Sequence, residues 1–100
     1  MVHCGTIYPM KYHWDKLKET TNIKKHGVTF GDAKEALNCG FVIVLKEEIR
    51  FNEDRYVYLG MCKKLNILVV VVAYPSEEIT RIISARKATK TERTFYEKEL

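Results

Sequence analysis

The sequence has no cysteines at the spacing of a metal site or a disulfide framework. Cys4, Cys39 and Cys62 are odd in number and far apart, with no C-x-x-C pair, which argues against both a disulfide-stapled domain and a zinc finger. His3, Cys4 and His13 are conceivable as metal ligands but lack paired-ligand spacing, so neither a metal nor another cofactor is expected. Long apolar runs are missing as well. The longest, Ile67 to Tyr74, falls far short of the ~20 residues a membrane-crossing helix needs. The first ten residues hold no apolar signal-peptide core, so no export is read and a reduced cytoplasm is the expected compartment. Internal repeats and low-complexity segments are also absent.

What remains is the composition of one globular domain: 100 residues, 46% hydrophobic and 30% charged. The net charge of +4 is unevenly spread. Residues 1–34 carry six lysines against three acids, and residues 81–100 carry six lysines and arginines against three glutamates. Residues 35–80 carry five basic and seven acidic side chains. Two basic ends that meet in space would make a positive face suited to nucleic acid; charge alone favours the plainer reading of solubility.

Residues 1–9 show no periodicity and are expected to be a loose extension ahead of one domain spanning residues 10–100. Met10 to Trp14 alternates as a short strand does. Asp15 is a candidate N-cap for a helix that ends at Gly27, with Lys24, Lys25 and His26 where the helix dipole favours positive charge. Thr29 opens a second helix with Phe30, Ala33, Ala36 and Leu37 on one stripe, closed at Asn38-Cys39-Gly40. Four strands follow. Phe41–Leu45 is the first, Glu47–Asp54 reads as a charged hairpin region, and Arg55–Leu59 is the second strand. Leu65–Tyr74, too uniformly apolar for one wet face, reads as a central strand broken by Pro75. Ile79–Ala85 returns antiparallel, and Thr89-x-x-Glu92 has capping-box spacing for a last helix. The expected class is α+β, order β-α-α-β-β-β-β-α, with helices packed on an antiparallel sheet.

These residues also carry a pattern. Trp14-Asp15, Lys18, Asn22, Lys25-His26-Gly27-Val28, Phe30 and Ala33 resemble the opening of the BrnT toxin family. Arg55-Tyr56 with Leu59-Gly60, then Leu68 to Val71, then Arg81-Ile82-Ile83-Ser84-Ala85-Arg86-Lys87-Ala88-Thr89 with Glu92-Arg93 and Tyr96-Glu97, are similar to its remaining blocks in the same order. The resemblance covers roughly residues 10–98. It implies a RelE-like fold, a metal-independent ribonuclease that halts translation, and a type II toxin–antitoxin module. The implied partner is a BrnA-type antitoxin with a ribbon-helix-helix DNA-binding domain, joined in a heterotetramer that reaches operator DNA only through the antitoxin. Cys62 and Tyr74-Pro75-Ser76 depart from residues common in relatives.

Metal-free RNA cleavage needs a base, an acid and fixed positive charge at the phosphate. Arginine suits the last role through its planar, permanently charged fork. With the resemblance, the catalytic candidates are His26, Arg86, Arg93 and Tyr96, and the RNA-binding candidates are Lys18, Lys25, Arg81, Lys87 and Lys90. Glu92 reads as a cap and Trp14 as core. Lys18, Asn22 and Lys25 share a helix face, an anion-binding stripe or a wet one. Strand parity puts Arg81, Ile83 and Ala85 on one face and Ile82, Ser84 and Arg86 on the other. Arg81 and Arg86 can therefore flank one phosphate only if Arg86 lies past the strand end or a bulge intervenes, and the turn is the expected solution. The competing reading is a non-catalytic basic domain that binds nucleic acid or an acidic protein.

Overall fold

The computed structural model describes residues 2–5, 11–50 and 52–100. Among them are six strands and three helices: β1 (Val2–Gly5), β2 (Lys11–His13), α1 (Lys16–His26), α2 (Phe30–Leu37), β3 (Gly40–Arg50), β4 (Glu53–Met61), β5 (Ile67–Ser76), β6 (Ile79–Lys87) and α3 (Lys90–Lys98). One sheet runs in the order β1-β3-β4-β5-β6-β2. Several features depart from expectation, and one is that β5 runs through Pro75, read as its break, to Ser76. Val2–Gly5, within the segment read as loose, pairs antiparallel with Gly40–Ile43; residues 1 and 6–9 of that segment, and Met10, lie outside the described residues. β2 pairs parallel to β6, so the sheet is mixed at that edge. The stretch read as a charged hairpin is itself ladder, with β3 and β4 paired out to Arg50 and Glu53. The turn is therefore two residues long, and Asn52 takes the left-handed conformation (φ 61°) that asparagine tolerates.

The helix caps follow the sequence. The Asp15 carboxylate accepts from the Leu17 and Lys18 amides at 2.7 and 3.1 Å, and Gly27 closes α1 at φ 70°. Thr29 Oγ1 accepts from the Asp32 amide at 3.0 Å. Helix α2 lays Phe30, Ala33, Ala36 and Leu37 over Val42, Tyr58, Val70, Val72, Ile82 and Ala85 on one face of the sheet. On the other face α3 covers only one end, where Tyr96 packs over Ile43, Leu59, Ile67 and Val69. Strand β5 lies between β4 and β6, and its valines serve both layers. That explains a run with no alternation. Beyond the reach of α3, the sheet is open.

Candidate active site

The open face is organised by one irregularity in β6. The ladder pairs Ile82 with Val72 and Ser84 with Val71, leaving Ile83 as an extra residue. This is a β-bulge, and it inverts the parity of everything after it. Ile82 and Ala85 accordingly both lie in the core under α2. Arg81, Ser84 and Arg86 pair with Ala73, Val71 and Val69, and Val69 belongs to the α3 layer, so all three point to the α3 side. The expected grouping of Arg81 with Ala85 is corrected. Arg86 is a strand residue, and the bulge rather than the turn brings it to the face of Arg81.

Both arginines are held by carboxylates. Arg81 Nη2 donates to Glu53 Oε1 and Oε2, each at 2.8 Å, across the sheet. Arg86 meets Glu92 fork to fork, Nη1 to Oε1 at 2.8 Å and Nη2 to Oε2 at 3.1 Å. Glu92 Oε1 also accepts from the Thr89 amide at 2.8 Å, while Thr89 Oγ1 accepts from the Glu92 amide at 3.2 Å, completing the capping box. The Arg86 guanidinium, with help from the Thr89 amide, holds the Glu92 carboxyl down at about 2. A depressed carboxyl contributes stability above its unfolded value and loses it as pH falls through the folded one. Between pH 4.5 and about 2, wild type should therefore lose more stability than Glu92→Gln. Acid titrations of the two proteins followed by circular dichroism check this, and parallel curves would refute it.

Helix α3 separates the other candidates. Tyr96 is 1% exposed. Its hydroxyl donates to the Phe41 carbonyl at 2.9 Å, and its ring packs edge-on against Phe41. Burial pushes the phenol up from its ordinary value. Tyr96 is thus a core residue whose hydroxyl is aimed at β3 rather than at the arginines of β6. Arg93 is exposed and forms no side-chain ion pair among the described residues, so a pairing with Glu97 is not seen. Lys87 ends β6 and Lys90 begins α3, both exposed.

The second basic end arrives through α1, which packs on β6. Beyond the three residues that pair with β2, the outer edge of β6 is met by Asn22. Its Nδ2 donates to the Ala85 carbonyl at 2.8 Å and its Oδ1 accepts from the Ala85 amide at 3.1 Å. One side-chain amide thereby supplies the bonds a neighbouring strand would make. Asn22 is buried and also donates to the Val28 carbonyl at 3.0 Å, so its place is structural rather than in an anion-binding stripe. Lys18, Lys25 and His26 flank it and, with Ile83 and Ser84, line an open groove of about 320 Å³. The basic helix α1 thus meets β6 at the bulge, through Ile83 and Ser84. Among the described residues no three His, Cys, Asp or Glu side chains gather as a metal-ligand set. The arrangement offers arginines fixed on an open sheet face, a hydroxyl at Ser84 and an imidazole across a groove.

Three contributors were not legible as partners. Glu53, Ser84 and Asn22 act across strands or between a helix and a strand, and only the alternation of β6 hinted at Ser84.

Residues 14–92 match the family described as "Ribonuclease toxin, BrnT, of type II toxin-antitoxin system". Among solved structures, the chain is similar to the crystal structure of the Brucella abortus ribonuclease toxin BrnT. The two are 31% identical, with 81% of this chain and 99% of that one covered, at a TM-score of 0.64. No curated protein matches the chain.

Proposed function

The chain belongs to the BrnT family of ribonuclease toxins of type II toxin–antitoxin systems, and from that premise we propose that it cleaves RNA without a metal ion on the open face of β6, so halting translation. The observation that carries this reading is the bulge at Ile83, which turns Arg81, Ser84 and Arg86 to one side beside the groove of Lys25 and His26. The substrate phosphate lies against the Arg86 guanidinium, with Arg93 as a second cation from α3. Imidazole can take or give a proton near neutral pH, so His26 serves as acid or base across the groove. Lys18, Lys25, Arg81, Lys87 and Lys90 hold flanking phosphates.

As a type II toxin it pairs with an antitoxin protein. We take that antitoxin to be a BrnA-type ribbon-helix-helix protein that covers the arginine face in a heterotetramer with two toxins and carries the complex to operator DNA. Among the described residues no helix is long and apolar enough to cross a membrane, and the site of action is taken to be the cytoplasm, where messenger RNA is found. The family's activity leaves no support for a purely non-catalytic basic domain.

The test is cleavage of a defined RNA in EDTA, together with growth arrest on induced expression. Wild type should cut and arrest. Arg86→Ala should lose roughly 10²–10³-fold in rate, the scale of one lost charge-stabilising donor. His26→Ala should lose about 10²-fold in rate. Tyr96→Phe should cleave as wild type does. Undiminished cleavage by Arg86→Ala, or no cleavage by wild type, would sink the proposal.

A further inference from the structure

The Arg86–Glu92 pair goes beyond what a helix cap requires. A capping box needs one oxygen at position three of the helix to accept from the N-cap amide, and a glutamine supplies that as well as a glutamate. Here the carboxylate does more. Oε1 accepts from both the Thr89 amide and Arg86 Nη1, and Oε2 is committed to Arg86 Nη2. The guanidinium is thereby tied to the backbone at the start of α3 through a single carboxylate, itself held by the Thr89 amide.

Consider what Arg86 is without that tie. Its side chain is 40% exposed at the end of a strand, and a long flexible arginine there would sample many rotamers. The fork-to-fork geometry fixes both the plane and the direction of the guanidinium. Nη1 also reaches the Lys87 carbonyl at 3.3 Å, and the other N–H donors remain for a ligand. Arg81 offers the contrast, since one nitrogen meets both Glu53 oxygens across the sheet with no link to a backbone cap.

Electrostatics sharpens the case. A carboxylate on a face meant for RNA repels phosphate, so a glutamate used only as a cap would be the poorer choice there. The depressed carboxyl at Glu92 also makes it a weak proton acceptor.

We propose that Glu92 is a positioning residue, which holds the Arg86 guanidinium in the orientation that receives the substrate phosphate and is itself anchored by the Thr89 cap. The proposal rests on the ribonuclease reading of this face. It predicts a split that a merely structural role would not give. Glu92→Gln keeps an oxygen for the Thr89 amide, removes a charge that repels RNA, and releases Arg86. RNA should bind about two- to threefold tighter by losing one nearby repulsive charge, while the single-turnover rate falls at least ~10-fold from misplacement of Arg86.

The experiment measures KM and single-turnover rate for wild type, Glu92→Gln, Arg86→Ala and the double variant on one RNA in EDTA. The double variant should be no slower than Arg86→Ala, because without Arg86 there is nothing left to position. Additive losses, or a Glu92→Gln rate within twofold of wild type, overturn the proposal. A second readout is independent of cleavage: the NMR order parameter of the Arg86 Nε–H should be high in wild type and fall in Glu92→Gln. Equal order in the two proteins overturns the positioning role even if RNA is cut. A wild type that cuts no RNA overturns the ribonuclease reading instead, and with it the phosphate, while the order parameter still decides whether Glu92 fixes Arg86.

Discussion

Gly60→Ala is expected to destabilise the protein by about 3 kcal/mol or more, the upper end of what overpacking costs. Gly60 lies in β4 on the α2 side, directly beneath Ala36. A Cβ built there falls far inside van der Waals contact with the Ala36 carbonyl oxygen and 2.9 Å from the carbonyl carbon. The obstacle is helix backbone, so no rotamer change relieves it. Either α2 lifts off the sheet or β4 distorts, and both open the largest packed layer. Gly31→Ala is the control. Its nearest neighbour is the Thr29 hydroxyl at 3.7 Å, and in the first turn of a helix alanine should gain ~0.5–1 kcal/mol over glycine. Urea denaturation of the two variants beside wild type gives the comparison. A Gly60→Ala protein within about 1 kcal/mol of wild type would mean the helix is not held this close.

Gly60 also illustrates how much of the molecule was legible. In the sequence it is one member of a Leu59-Gly60 motif, and nothing local says that a helix backbone lies against it. The helices were readable because their signals are local: Asp15 and Thr89 cap amides within three residues, and Gly27 supplies its own left-handed turn. The central strand was readable because four valines serving two layers leave no polar face. What escaped depends on a partner strand. The β2 segment is three residues long and gives no sign of running parallel to β6. The charges of Glu47 to Asp54 read as a hairpin region between shorter strands, yet both arms pair out to Arg50 and Glu53. The bulge was foreseen as one of two ways to reconcile Arg81 with Arg86. Choosing between them required the ladder, since an extra residue is extra only relative to the strand opposite. The site divides in the same way. Residue types together with the family resemblance named the arginines, His26 and Tyr96 as candidates, and they could not show that the Tyr96 hydroxyl is spent on a carbonyl.

Asn22→Ala should cost about 3 kcal/mol and lower RNA cleavage as well, because Asn22 stands in for a missing strand beside the site. Its amide satisfies the Ala85 N–H, the Ala85 carbonyl and the Val28 carbonyl, and each buried group left without a partner costs roughly 1–3 kcal/mol. Some of that is recovered where water enters, so the estimate sits at the low end of the sum. Ala85 sits between Ser84 and Arg86, and freeing its backbone loosens the segment that aims both. Asn22→Asp separates hydrogen-bond geometry from simple loss of volume. The new side chain can still accept from the Ala85 amide, but it faces two carbonyl oxygens with another oxygen instead of an N–H. Its carboxyl pKa should therefore rise, and linkage gives the sign: a group whose folded pKa is raised costs stability above that pKa, and the cost is relieved as pH falls and the neutral acid regains a donor. Asn22→Asp should thus be at least as damaging as Asn22→Ala at pH 7 and recover relative to it near pH 5. Hydrogen exchange at the Ala85 amide reports the local event, with protection lost in both variants before global unfolding. If Ala85 keeps wild-type protection in Asn22→Ala, the side-chain amide does not close the edge of β6, and the alignment of Ser84 and Arg86 must come from the β5 ladder alone.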